Sequence, residues 1–131
     1  MTPPQVSIVI PTFNRSGMLR RCIDSALAQT FPCEVVVCDH GSSDDTPTVA
    51  RSYGDRIRYV RREQDSGVHF AWLDGVVSAC GEFVHINYDD DLIQLISEKY
   101  HISGKSGAQA MIDAAARNGV ALMEAMWARF L

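Results

Sequence analysis

Short apolar runs alternate along this chain with segments of helical period, and this alternation constrains the fold more than any other feature. Residues 5–10, 33–39, 56–62 and 82–87 are strand-like runs, several of them rich in β-branched side chains. Between them, apolar residues recur every three or four positions, as on one helical face: Met18, Leu19, Cys22, Ile23, Ala26 and Leu27, then Val49 and Tyr53, then Val68, Ala71, Trp72, Val76 and Ala79. Strands that alternate with helices predict an α/β domain with a mostly parallel sheet covered on both faces. We expect one such domain over residues 1–131.

The composition argues against several kinds of partner, and the N-terminal segment and the cysteines bear on the expected compartment. The net charge is −4, and no block of lysine or arginine is present, which argues against nucleic acid or an anionic membrane surface as the partner. The N-terminal apolar run is too short for a signal peptide or a membrane span, so we expect a cytoplasmic protein. The four cysteines, Cys22, Cys33, Cys38 and Cys80, show no C-x-x-C spacing and are interpreted as reduced, structural thiols.

Ligands of parallel sheets bind at the loops that follow the carboxyl ends of the strands. Here those loops are "PTFNR", "DHGSSDD" and "YDDD". Asp89, Asp90 and Asp91 repel one another unless a cation compensates their charge, and Mg²⁺ or Mn²⁺ held by one or two carboxylates would do so. The alternative is an acidic helix start, where aspartates cap free N–H groups. From the triplet alone both interpretations stand.

Taken together, these motifs resemble the family 2 glycosyltransferases, the inverting enzymes of the GT-A type, over residues 5–93. The resemblance implies a Rossmann-like half-domain that binds a nucleotide sugar, with a UDP-sugar as the expected partner and Mg²⁺ or Mn²⁺ as the cofactor. It implies three groups of site residues: Thr12, Asn14, Arg15, Asp39 and Asp44 for the nucleotide, Asp65 and Gly67 on the donor-sugar side, and Asp89, Asp90 and Asp91 for the metal on the diphosphate.

The sequence also departs from the family pattern. His40 stands where the family usually has a second aspartate, and Phe70 and Leu73 replace polar positions on the donor side. The metal motif can be aligned in two registers, one of which places Tyr88 at the usual first aspartate. Asp89 and Asp90 belong to the site in either register.

Residues 94–131 are an atypical C-terminal unit. From about residue 96 they resemble a fragment of the glucose-fructose oxidoreductase family, in which Glu98 and Lys99 match a motif whose proline is replaced by Tyr100. That family's G-x-G-x-x-G loop is absent from this sequence. The segment itself predicts an apolar helix followed by a short strand at 120–123, which would extend the sheet. The join of two families suggests a fused or chimeric chain.

The resemblance implies inverting transfer of a sugar from its nucleotide to an acceptor hydroxyl. No acceptor half or catalytic base is recognisable after residue 93, so we expect a truncated unit whose catalytic residues are unknown. The alternative function is a nucleotide-binding module without transfer activity, and a fragment of a dinucleotide oxidoreductase is a third hypothesis that depends on the tail alone. A sheet edge left exposed would pair with another chain, which allows a homodimer.

Overall fold

The computed structural model describes residues 4, 6–30, 32–90, 92 and 126–128. Strands and helices alternate along the chain in the order β1 Val6–Thr12, α1 Ser16–Leu27, β2 Cys33–His40, α2 Thr46–Arg51, a 3₁₀ turn Gly54–Arg56, β3 Arg58–Arg62, α3 Val68–Ser78, β4 Phe83–Ile86 and β5 Met126–Ala128. The predicted alternation is therefore present throughout the first 86 residues.

The described strands form one sheet in the order β3-β2-β1-β4-β5. The pairs β1–β2, β1–β4 and β2–β3 are parallel, whereas β5 pairs antiparallel with β4. The predicted α/β class with a mostly parallel sheet is confirmed. β3 lies at one edge of this sheet.

β1 continues two residues beyond its predicted end, through Pro11 and Thr12. The Val9 carbonyl accepts a hydrogen bond from the Asn87 N–H, so Val9 and, two residues later, Pro11 direct their main-chain groups toward β4. Pairing with β4 ends at Val9 and Ile86. The N–H that proline lacks is therefore not needed by the ladder, and the central strand tolerates Pro11.

The two faces of the sheet have separate cores. Even-numbered residues of β1, such as Ile8, pack with Leu19 and Ile23 of α1 and with Val49 of α2. The other face packs against α3 through a second cluster: Val9, Val36, Cys38, Ala71, Ala79 and Val84. Burying each aliphatic side chain of this size contributes about 1.5–3 kcal/mol, so both layers of helices are held by apolar contact.

Two features of the predicted helices differ in the structure. Met18 is half exposed, because it lies beside the buried row formed by Leu19, Ile23 and Ala26 rather than within it. The helix expected to run through Tyr53 ends at Arg51 and is followed by a turn in which Gly54 adopts a φ of 58°. Positive φ favours glycine and stops an α-helix.

None of the four cysteines, all of which lie among the described residues, forms a disulfide, and Cys22 and Cys38 are buried. Burial raises the pKa of Cys33 and of Cys38 to about 12, which keeps both thiols protonated and unreactive. Among the described helices, none is both long and apolar enough to cross a membrane. Of the C-terminal unit, residues 126–128 form β5; the predicted helix, the strand at 120–123 and the matches at Glu98 and Lys99 lie outside the described residues.

Candidate functional site

A cleft of about 570 Å³ opens at the carboxyl edge of the sheet, as expected for the ligand site of a parallel sheet. Its wall is made by the loops after β1, β2 and β4 and by the start of α3. The lining residues are Pro11, Thr12, Phe13, Arg15, His40, Asp65, Gly67, Ala71, Tyr88, Asp89 and Asp90.

The loop after β4 presents two carboxylates of different exposure. Asp89 is nearly buried, and its Oδ2 accepts a hydrogen bond of 2.9 Å from the Thr12 hydroxyl at the end of β1. Asp90 is half exposed. Burial raises the pKa of Asp89, and the Asp90 charge adds to this, while the Thr12 hydrogen bond and the Arg15 charge act in the opposite direction.

Arg15, the residue that precedes α1, brings its guanidinium to both carboxylates. Its Nη1 lies 3.4 Å from Asp89 Oδ1 and 3.5 Å from Asp90 Oδ2. Three side chains that are separated by up to 75 positions in the sequence thus meet at one point of the cleft wall.

The donor set at this point fits a hard divalent cation. One positive group already lies within 3.5 Å of oxygens from both Asp89 and Asp90, so the two carboxylates face the same point of the cleft. Mg²⁺ and Mn²⁺ favour oxygen ligands and are commonly held by one or two carboxylates, with water and phosphate completing the shell. Within the described residues no group of three or more His, Cys, Asp or Glu is placed to hold a metal, so the described carboxylates of this site are Asp89 and Asp90. Asp91, the third predicted ligand, lies outside the described residues.

Asn14 ties the first loop to the second. It adopts a φ of 50°, and its N–H donates to Ser42 Oγ at 2.9 Å. Its side-chain Oδ1 accepts from the N–H groups of Ser43 at 2.8 Å and Asp44 at 3.3 Å. Asn14, which was predicted to bind the nucleotide, therefore connects two loops of the cleft through hydrogen bonds.

Asp39 lies beneath the cleft rather than on its wall. Its side chain is fully buried at the end of β2, where it accepts hydrogen bonds from Tyr59 Oη at 2.5 Å, Arg61 Nη1 at 2.7 Å and the Ser42 N–H at 3.1 Å. Burial, followed by the hydrogen bond to Asp39, raises the pKa of Tyr59 to about 12. Asp39 thus fixes two side chains of β3, which the sequence analysis did not include in the site.

Asp44 is exposed at the start of α2, where its Oδ1 accepts a 2.8 Å hydrogen bond from the Thr46 N–H. Desolvation acts to raise the pKa of Asp44, but the hydrogen bonds with Thr46 hold it below the ordinary value. The Asp44 carboxylate is therefore ionised and organises the turn into α2.

Asp65 and Gly67 form the wall of the cleft at the start of α3. Asp65 Oδ1 accepts a 2.8 Å hydrogen bond from the Gly67 N–H, and Gly67 has a φ of 92° that favours glycine. The second loop packs closely here, since a Cβ added to Gly41 would lie 2.6 Å from the Asp65 nitrogen. Both predicted donor-side residues therefore belong to the cleft.

A polar cluster around the buried His40, which lines the cleft, was not predicted. His40 Nε2 lies 2.8 Å from Asp74 Oδ2, and Arg62 binds the same carboxylate through Nε at 2.6 Å and Nη2 at 2.8 Å. The Arg62 hydrogen bonds, followed by the bond to His40, lower the pKa of Asp74 although desolvation opposes them. His40 therefore has a partner within the protein. The sequence did not predict this contact, because it depends on the strand register, which places His40 opposite Arg62.

Aromatic residues that sequence reasoning did not assign also line the cleft. Phe13 and Tyr88 are each more than two fifths exposed, and the Tyr88 ring lies 5.9 Å from that of Trp72. In the sequence, the feature that could have pointed to Phe13 and Tyr88 as cleft residues is their position in the first and third loops. Exposed aromatic faces in a cleft favour a ligand with stackable or apolar surfaces.

The structure thus brings together six of the ten predicted site residues on one cleft wall: Thr12, Arg15, Asp65, Gly67, Asp89 and Asp90. Asn14 and Asp44 lie in the supporting loops and Asp39 lies at the end of β2, with their described contacts made inside the protein.

Comparison with known families and proteins gives matches to the same part of the chain. The profile described as "Glycosyl transferase family 2" matches residues 7–96, more than half of the chain. An uncharacterized glycosyltransferase of Rickettsia typhi is 43% identical over 90 residues, covering 68% of this chain and 28% of that protein. The chain therefore spans less than a third of the length of this relative.

Two solved structures are similar in fold. The mannosyltransferase PcManGT from Pyrobaculum calidifontis, in complex with GDP-Man and Mn²⁺, superposes with a TM-score of 0.65 at 27% identity, over 73% of this chain and 30% of that one. TarS from S. aureus, in complex with UDP-GlcNAc, gives a TM-score of 0.63 at 26% identity, over 79% of this chain and 36% of that one.

Proposed function

Since this chain belongs to glycosyl transferase family 2 and has the α/β fold of GT-A glycosyltransferases, we propose that it binds a nucleotide sugar in the cleft at the carboxyl edge of its sheet. The observation that carries this proposal is the convergence of Asp89 and Asp90 with Thr12 and Arg15 on the cleft wall. A divalent cation held by the two aspartates would neutralise the diphosphate there.

The nucleotide would lie over the first two loops. The residues proposed to bind it, or to hold these loops in place for it, are Thr12, Asn14, Arg15, Asp39 and Asp44. Because Asn14 and Asp39 use their oxygens within the protein, we assign them the role of holding the loops and β3 side chains in place for the nucleoside. The relatives of known structure support this class of ligand, since one was solved with GDP-Man and Mn²⁺ and another with UDP-GlcNAc. A UDP-sugar is the proposed ligand here.

The sugar would extend toward Asp65 and Gly67 at the start of α3, because these residues continue the cleft wall from the acidic pair. In the complete reaction, an acceptor hydroxyl would attack the anomeric carbon directly, with inversion, and the departing diphosphate would be stabilised by the bound cation. The residues of this chain would bind and orient the donor. No catalytic base is assigned.

Nucleotide binding is the test of this proposal. UDP and GDP are titrated into the 131-residue chain with and without Mn²⁺, and the melting temperature is followed together with calorimetric affinity. A ligand that binds only the folded state raises the melting temperature, so UDP with Mn²⁺ should raise it more than UDP alone. If no nucleotide changes the melting temperature under either condition, the proposal is wrong.

A further inference from the structure

The guanidinium of Arg15 contacts both of the carboxylates that are proposed to hold a divalent cation. Its Nη1 lies 3.4 Å from Asp89 and 3.5 Å from Asp90. We propose that Arg15 is a resident counter-cation of this acidic pair, that a divalent ion displaces it, and that the displaced guanidinium then pairs with the diphosphate of the ligand. The last step rests on the proposed nucleotide-binding function.

The contacts of Arg15 are those of a group that can be displaced. Charge-assisted N–H···O bonds are usually about 2.7–2.9 Å long, and both contacts of Arg15 exceed this range. The side chains of Arg15 and Asp90 are 51% and 50% exposed, so water screens their attraction. A dication that coordinates both carboxylates at about 2.0–2.2 Å would bind them more strongly and would repel the guanidinium.

Displacement requires the Arg15 side chain to move but not its backbone. The Arg15 carbonyl accepts a 2.8 Å hydrogen bond from the Leu19 N–H and thereby begins α1. The side chain already lines the cleft, so a change of rotamer is sufficient to turn it from the carboxylates toward a ligand.

The acidic cleft wall would repel an anionic ligand, and the displaced guanidinium would attract it. Of the described residues that line the cleft, three are aspartates and Arg15 is the one arginine or lysine. A diphosphate would be repelled by Asp65, Asp89 and Asp90 while Arg15 is paired with two of them. A bound dication would offset that repulsion and also release Arg15, whose planar group can donate two hydrogen bonds to a phosphate. Metal and diphosphate would therefore strengthen each other's binding through Arg15.

The test compares Arg15→Gln with Arg20→Gln in the full chain. Arg20 is an exposed residue of α1, the helix that follows Arg15, and gives a matched loss of one positive charge away from the cleft. Mn²⁺ is first titrated alone, with the free ion followed by electron paramagnetic resonance. UDP is then titrated by calorimetry with and without saturating Mn²⁺, and urea unfolding verifies that each variant is folded.

We expect Mn²⁺ alone to bind Arg15→Gln about two- to fivefold more tightly than the parent, the range that corresponds to losing an exposed ion pair. The gain in UDP affinity that Mn²⁺ provides should fall by about tenfold, because no guanidinium is released to the diphosphate. Arg20→Gln should resemble the parent in both measurements.

Equal or weaker Mn²⁺ binding by Arg15→Gln would overturn the proposal, since Arg15 would then not compete for the position of the cation. An unchanged Mn²⁺-dependent gain for UDP would overturn it as well, because the guanidinium would not pass to the diphosphate. If neither the parent nor the variants bind UDP at all, the proposed nucleotide function fails, whereas the titration of Mn²⁺ alone still decides whether Arg15 holds the place of the cation.

Discussion

Asp90 is the exposed member of the acidic pair, so it can be altered with little effect on folding. We predict that Asp90→Asn removes most of the gain in UDP affinity provided by Mn²⁺, because the diphosphate and the remaining carboxylates then lack the ion between them. The free energy of unfolding should change by less than about 0.5 kcal/mol, as for most exposed substitutions. Calorimetry of UDP with and without Mn²⁺ measures the first effect, with Asp55→Asn as the exposed control. An affinity indifferent both to Mn²⁺ and to the substitution would argue against a metal at this pair.

Replacing Asp39 should destabilise the protein more than replacing Asp90, because Asp39 is fully buried among hydrogen-bond donors. Asp39→Ala would remove the acceptor of Tyr59 and one acceptor of Arg61, and removing one partner of a buried ion pair destabilises a protein by about 3–5 kcal/mol. Urea unfolding should show this loss. UDP should also bind more weakly with and without Mn²⁺, since the altered group lies away from the ion.

Glu63→Ala is the control for that experiment. Glu63 is the other acidic partner of Arg61, at 3.4 Å, but its side chain is 87% exposed, so its removal should cost less than about 0.5 kcal/mol. Equal unfolding free energies for Asp39→Ala and the parent would mean that the buried hydrogen bonds of Asp39 contribute nothing.

Asp74 makes part of the stability dependent on pH. Its folded-state pKa lies below the ordinary value, so its ion pair with Arg62 and its hydrogen bond with His40 stabilise the protein above that ordinary value. The contribution is lost as the pH falls and the carboxylate takes up a proton. Asp74→Asn should therefore be less stable than the parent by about 1 kcal/mol at pH 7, and the difference should be smaller at about pH 3, below the ordinary value of 3.8. Urea unfolding of both proteins at the two pH values checks this, and a difference independent of pH would show that the charge of Asp74 is not involved.

At the scale of the elements, the packing of α3 on the sheet depends on one glycine. A Cβ added to Gly75 would lie 2.2 Å from Val9 Cγ1 and 3.1 Å from Cys38 Sγ, so the helix would have to move away from β1 and β2. Gly75→Ala should destabilise the protein by about 1–3 kcal/mol, despite the better helix propensity of alanine.

Gly17 provides the matched control in α1. An added Cβ would meet no atom within 4 Å there, so Gly17→Ala should be neutral or stabilising by up to about 1 kcal/mol. Thermal unfolding of the two variants compares the same chemical change in a crowded and an open position. If Gly75→Ala melts at or above the temperature of the parent, the close approach of α3 to the sheet is not required.

At the scale of the whole molecule, we predict that the 131-residue chain binds a sugar nucleotide and does not transfer the sugar. Transfer needs a base within hydrogen-bonding reach of the acceptor oxygen. On the described cleft wall, Asp89 and Asp90 are proposed to hold the cation, and the remaining carboxylate, Asp65, accepts a hydrogen bond from the Gly67 N–H. Slow hydrolysis is the most that we expect from this arrangement.

A radiolabelled UDP-sugar incubated with mixed acceptors measures transfer directly. Glu124, which lies outside the described residues, is the other carboxylate to test. Robust transfer by the parent that disappears in Glu124→Gln would contradict the prediction and would identify the missing base.

The sequence by itself determined the class of the fold and the position of the cleft. The apolar periods that predict β1, α1, β2, α3 and β4 depend on residues a few positions apart, so they can be read without knowing the tertiary structure. Alternation of strands and helices then leads to a parallel sheet, and a parallel sheet places its ligand loops at one edge. The assignment of Thr12, Asp65, Gly67 and Asp89 to particular parts of a site came instead from the resemblance of the loop motifs to a known family.

Only the tertiary structure decided which of these side chains meet and which are buried. Arg15 reaches Asp89 across 74 positions, and Asp39 meets Arg61 across 22, because the strand order β3-β2-β1-β4 makes neighbours of segments that are distant in the sequence. The strand register then places His40 opposite Arg62, and the hydrogen bonds of these two residues lower the pKa of Asp74. Such contacts depend on how the whole sheet assembles, which the local periods of a single sequence do not specify.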